Sequence, residues 1–279
     1  MSVTTERRAA PRIHRKLWAA KVLRDGHVIY WWAEMLAIGL FYILYSVIRN
    51  ADTVRTAEAF HHAKQLMGWQ HAIGIDHELT INQWALHFKP LVVAANYYYG
   101  SLHFIITIGV GIYLFRRWPD DYSRWRNTIG VATAIALIGF RFWPLMPPRL
   151  LDAHEFMHFH PGIHYGFVDT LAKYPTLWTF NSGAMKNISN QFAAMPSVHC
   201  CWALWCACAL VPRLKHTWAK WLAAAYPVMT VAVIVITANH YFLDAVGGFI
   251  IFGIGYTVAR LVTRAGRGPA IEPEPVTTS

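Results

Sequence analysis

Residues 237–260 read TANHYFLDAVGGFIIFGIGYTVAR. After Asp244 the stretch carries no charge until Arg260, and an apolar run near 20 residues is long enough to cross a bilayer as a helix. Yet it opens with His240 and Asp244, four residues apart. A helix sets such a pair on one face, one turn apart. An aspartate at the end of a membrane helix is costly and is commonly paired or functional. The stretch therefore predicts a membrane fold and raises the question of what the pair does.

The rest of the chain repeats the apolar signal. Of 279 residues 55% are hydrophobic and only 14% charged, against roughly 25% charged in a soluble domain. Six candidate spans follow: 27–48, 92–115, 127–146, 195–212, 218–237 and 241–261. The expected fold is all-α, an integral membrane bundle of about six helices. Of the 25 Lys and Arg, 17 fall before the first span, between the second and third, between the fourth and fifth, or after the sixth. Such an excess marks the cytoplasmic side. Both termini are then cytoplasmic in a multi-pass cell-membrane protein, while 49–91, 147–194 and the turn at 238–240 face outward. The formal charge of +10 is read as topology, and no nucleic-acid partner is expected.

Residues 1–26 form a basic segment, read either as an interfacial helix on anionic lipid or as a positive-inside tail. Residues 27–264 form the membrane domain, and 265–279 a polar tail. The first span has the length of a retained anchor rather than a cleaved signal. Residues 51–90 are too polar to span and carry helix-like patterning. Cys200, Cys201, Cys206 and Cys208 share one apolar helix and are read as reduced packing residues.

Three polar pieces converge on the outer face in this topology: RFWPLMPPRL (141–150), MPSVH (195–199) and TANHYFLDAVGG (237–248). Asp244 can accept a hydrogen bond from one ring nitrogen of His240 and leave the other to attack, as a buried Asp orients His in a hydrolase triad. The other reading is a structural His–Asp clasp. Pro196 suits the first turn of a helix, so Ser197 sits at a helix N-terminus that favours anions, or serves only as its cap. His199 beside it can protonate a leaving oxygen. Arg149 and Arg141 can hold phosphate oxygens, although Arg141 can equally snorkel to headgroups. These parts need no metal and no cofactor.

At these residues the chain resembles the type 2 phosphatidic acid phosphatase superfamily, whose pattern is Lys-x6-Arg-Pro, Pro-Ser-Gly-His and Ser-Arg-x5-His-x3-Asp. PSVH and HYFLD match the second and third elements. AAMPSVH and HYFLDAVGG, with PPRL, GFVDTL and NYYYGSLH (96–103), look more like the branch that contains inositol phosphorylceramide synthase. The likeness covers roughly 75–250. It departs at the first motif, where Pro148 precedes Arg149, and at Ile234, where the family has arginine. The resemblance implies a PAP2-like core in which His240 forms a phosphohistidine, Asp244 orients it and His199 protonates the leaving group. It implies a phosphorylated lipid substrate and either water or an alcohol acceptor, hence a phosphatase or a transferase of an inositol-phosphate-type headgroup.

Two rival functions stand beside this one. A phospholipid transporter or flippase with a degenerate site would bind without turnover. A haem or quinone protein would use His103, His199 and His240 as ligands. His154, His158, His160 and His164 are read first as interfacial residues and second as a metal cluster. Asn96, His103 and Asp169 are polar groups that can touch the site, and Asn187-Ile188-Ser189 is a glycosylation sequon. The oligomeric state is left open.

Overall fold

The computed structural model describes residues 20–23, 28–50, 55–159, 161–176 and 191–265. Most of the basic segment, the sequon and the polar tail lie outside the described residues, as does His160. At 20–22 the chain is not helical. Ala20–Val22 (β1) pairs antiparallel with Val28–Tyr30 (β2) in a short hairpin.

Helices dominate the rest: α1 (Trp31–Asn50), α2 (Thr56–Ala72), α3 (Glu78–Ala85), α4 (Lys89–Tyr97), α5 (His103–Arg117), α6 (Pro119–Phe142), α7 (Thr170–Lys173), α8 (Val198–Leu210), α9 (Thr217–Ile236) and α10 (Phe242–Ala265). A π turn, Tyr98–Leu102, joins α4 to α5 without a break. Among the described residues three helical stretches have the length and hydropathy of a membrane span: Lys89–Arg117, Thr217–Ile236 and Phe242–Thr263. Trp31–Ile43 and Val198–Arg213 are apolar but shorter. The opening of α6 carries Asp120, Asp121, Arg124 and Arg126. That helix stops at Phe142, short of the expected 146, because Pro144, Pro147 and Pro148 cannot supply the donors that would continue it.

α10 packs along α6 and α8, and α8 packs in turn on α5 and α9. Their shared core holds Trp125, Trp205, Tyr122 and Phe252, with the Trp205 indole N–H donating to the Trp125 carbonyl at 2.8 Å. Glu34 of α1 is buried and takes Arg126 at 2.5 Å and the Tyr122 hydroxyl at 3.0 Å. This pairing tethers α1 to α6, and it compensates a carboxylate that would be costly alone in apolar surroundings.

The polar segment 51–90 folds over the ends of the core helices. The first N–H groups of a helix have no partner within it. Glu78 accepts from the Phe242 N–H at 2.8 Å and from Gln70 Nε2 at 2.6 Å, and Gln70 Oε1 accepts from the Leu243 N–H at 3.0 Å. Burial pushes the Glu78 carboxyl above its ordinary range, and these hydrogen bonds pull the other way. Asn82 donates to the Ile236 carbonyl at 2.8 Å, at the end of α9, and accepts from the Val168 N–H at 3.0 Å. Asn82→Ala leaves these buried backbone groups without partners, so a loss of about 2–4 kcal/mol is expected. A lower thermal midpoint in detergent, with unchanged helix content at low temperature, checks it.

Candidate active site

The three polar pieces meet. The Arg149 N–H donates to the Ala238 carbonyl at 2.8 Å, and the Ser197 N–H donates to the Asp244 carbonyl at 2.9 Å. The loop after α6 is held on several sides. Leu145 N–H bonds Phe192 O, Met146 N–H bonds Ala59 O, and the Tyr241 hydroxyl bonds Met146 O at 3.2 Å.

The turn that presents His240 closes α9. Asn239 and His240 N–H groups both reach back to the Ile234 carbonyl. Ala238 makes this possible at φ 52, a left-handed conformation that costs an alanine about 1–2 kcal/mol. The residue is fully buried, so the surroundings hold it there. His240 Nδ1 then lies 3.2 Å from Asp244 Oδ2. The same oxygen accepts the Tyr241 N–H at 2.9 Å. His240 is 3% exposed and Asp244 0%. An ionised carboxylate only accepts, so with Asp244 in that form the His240 nitrogen that meets it is the donor, and a neutral ring then keeps its lone pair on Nε2.

Ser197 is the N-cap of α8, buried, with its hydroxyl oxygen accepting from the Cys200 N–H at 3.4 Å. The preceding Met195–Pro196 bond is cis. Two glycines let this turn approach the bundle. A Cβ at Gly139 would come within 2.7 Å of Pro196 Cδ, and one at Gly248 would overlap the Ser197 carbonyl oxygen. The turn sets His199 with its ring centre 5.8 Å from that of His240, edge to face. Tyr99 stacks on His199 at 4.2 Å, and His103 lies 4.8 Å from it.

Arg149 is buried, and its Nη1 donates to Asp169 Oδ2 at 2.8 Å. The other Asp169 oxygen caps α7 by accepting from Leu171 and Ala172 N–H groups. Asn96 of α4 fixes α7, donating to Thr170 O and Tyr174 O and accepting from the Thr170 hydroxyl. Arg149 and Asp169 line a cleft of about 220 Å³ with Asp152, Glu155, Phe167 and Gln191. Arg141 stands apart at the end of α6, exposed, with its guanidinium 5.9 Å from the Phe142 ring centre.

Cys200, Cys201 and Cys206 are buried and Cys208 exposed, all as free thiols. His154, His158 and His164 are exposed. Among the described residues no three His, Cys, Asp or Glu side chains gather as metal ligands. Tyr99, Gln70, Glu78 and Asn82 are not among the residues expected at the site. Tyr99 had a sequence signal in its spacing of four from His103.

A family model for the PAP2 superfamily matches residues 64–258, and the chain belongs to that superfamily. Its members are generally phosphoesterases, and the three long apolar helices accord with a membrane protein. No curated protein and no solved structure matches the chain.

Proposed function

We propose that the protein is a six-span membrane enzyme that cleaves a phosphorylated lipid at the extracytoplasmic face through a phosphohistidine on His240. The observation that carries this is the buried His240–Asp244 pair with His199 edge-on beside it. His240 Nε2 attacks phosphorus while its Nδ1–H stays on Asp244. The bond from phosphorus to the leaving oxygen breaks, and His199 gives that oxygen a proton. A second hydroxyl, from water or an alcohol, then attacks phosphorus and returns a proton to His199 as the His240–phosphorus bond breaks. Water makes the enzyme a phosphatase. An alcohol makes it a transferase, and the AAMPSVH and HYFLDAVGG likeness favours transfer of an inositol-phosphate-type headgroup.

Asp169 orients Arg149 for the phosphate oxygens, with the Ser197 turn contributing the positive end of α8. Arg141 suits contact with headgroups at the membrane surface. The charge asymmetry of the segments supports the outward-facing site and cytoplasmic termini, with α1, α6 and α8 completing the six spans.

The test offers purified protein phosphatidic acid, polyprenyl phosphate and phosphatidylinositol in detergent with EDTA, and follows free phosphate and new phospholipid by mass. Turnover in the wild type and a fall of at least about 10³-fold in His240→Ala are expected. Equal turnover in the two proteins would refute the assigned nucleophile. Lipid binding without any turnover would point to transport.

A further inference from the structure

His103 has no part in the mechanism above, yet it is built into the same centre. The π turn at Tyr98–Leu102 precedes it, and π turns inside helices recur at functional sites. The turn brings Tyr99 and His103 together against His199. His103 is 0% exposed, and its Nδ1 lies 2.9 Å from the Tyr226 hydroxyl. The Tyr99 ring stacks on His199 at 4.2 Å. His103 is therefore fixed through one nitrogen and His199 through its ring face.

The Nε2 nitrogen of each ring is buried and has no hydrogen-bond partner among the described residues. Buried polar atoms are rarely left so, and each exception calls for an explanation. Among the described residues two of these exceptions lie in rings whose centres are 4.8 Å apart. When Tyr226 donates to His103 Nδ1, His103 Nε2 carries a proton and donates. When the proton of the neutral His199 ring sits on Nδ1, its Nε2 accepts. One donor and one acceptor complement a hydroxyl, which both accepts and donates.

We propose that His103 and His199 together cradle the attacking hydroxyl, making His103 a further catalytic residue beside His240 and His199. This rests on the phosphohistidine reading. His103 Nε2–H donates to the hydroxyl oxygen and holds it toward phosphorus. His199 Nε2 takes the hydroxyl proton as the new oxygen–phosphorus bond forms and the His240–phosphorus bond breaks. The proton on His103 stays in place throughout, so the imidazole acts as an orienting donor.

The experiment uses the full chain in detergent with p-nitrophenyl phosphate, whose nitrophenolate leaves without needing a proton. The wild type is expected to release nitrophenolate in a burst followed by steady turnover. In His103→Ala the burst should persist near one per enzyme. Steady turnover should fall about 10²-fold, with phosphate retained on the protein. His103→Gln, whose amide supplies an N–H donor, should recover turnover to within about tenfold of wild type. Burst and steady rate falling together, or neither changing, would overturn the proposal. Should His103→Ala not fold, Tyr226→Phe keeps the ring and removes the donor that sets its tautomer. It should show the same retained phosphate, and its absence there would count equally against the cradle. A wild type with no burst overturns the phosphohistidine reading and this one with it, whereas a wild-type burst with normal breakdown in His103→Ala overturns this one alone.

Discussion

Asp244→Ala is expected to lower turnover by about 10³- to 10⁴-fold, and Asp244→Asn by only about 10- to 100-fold. The difference follows from one oxygen. Asp244 Oδ2 takes both His240 Nδ1 and the Tyr241 N–H, and Oδ1 has no hydrogen-bond partner among the described residues. In the asparagine variant the backbone donor at Tyr241 forces the amide oxygen into the Oδ2 position. That oxygen can still accept from His240, so tautomer and orientation survive. Only the negative charge is lost, and a hydrogen bond to a charged group contributes about 1.5–3 kcal/mol, or roughly one to two decades in rate. Alanine removes the orienting oxygen as well, so nothing fixes the His240 tautomer; the wrong tautomer costs about 10⁴ in a triad whose aspartate becomes an asparagine that turns its amide N–H to the ring, a turn that the Tyr241 N–H opposes here. Steady-state kinetics of the two variants, each checked for a cooperative unfolding transition, separates charge from orientation. Equal losses would show that Asp244 acts through charge alone.

Gly248→Ala is expected to reduce turnover by about 100-fold or more without touching a reacting group. The new Cβ would overlap the Ser197 carbonyl and press on Cys200 Cβ and Cys201 N, each at 3.2 Å. Two of these three neighbours are backbone atoms at the start of α8, so no flexible side chain can absorb the contact. Overpacking of this kind costs about 1–3 kcal/mol. Relief requires α8 to move from α10, and that shift carries His199 away from His240. A misplacement near 1 Å can cost about 10²-fold. Gly253→Ala, where nothing lies within 4 Å of the added atom, is the control and should retain activity. Equal activity in the two variants would mean that the close approach of the helices does not set the site.

Much of this was legible in the residues. The apolar runs gave the long helices, and the spacing of His240 and Asp244 gave the pair, because both depend on local periodicity. The meeting of 141–150, 195–199 and 237–248 followed from the order of apolar and polar segments alone. The hairpin at 20–30 was not legible, since it depends on pairing between separate short stretches. The positive φ of Ala238 was hidden because the residue is not the glycine that normally signals that conformation. The covering of α9 and α10 by Gln70, Glu78 and Asn82 was hidden for a different reason. Their polarity read as exposure, whereas tertiary contacts bury them against unpaired backbone groups. Arg149 shows both sides: its charge was visible, but its pairing with Asp169, 20 residues on, required the fold.

The most direct measurement is the intact mass of the protein after a short exposure to a lipid phosphoester, followed by peptide mapping of any adduct. The account predicts one phosphoryl or phospho-headgroup adduct on His240, labile in acid and absent from His240→Ala. Turnover with no adduct at any time, or an adduct on another residue that persists in His240→Ala, would contradict it.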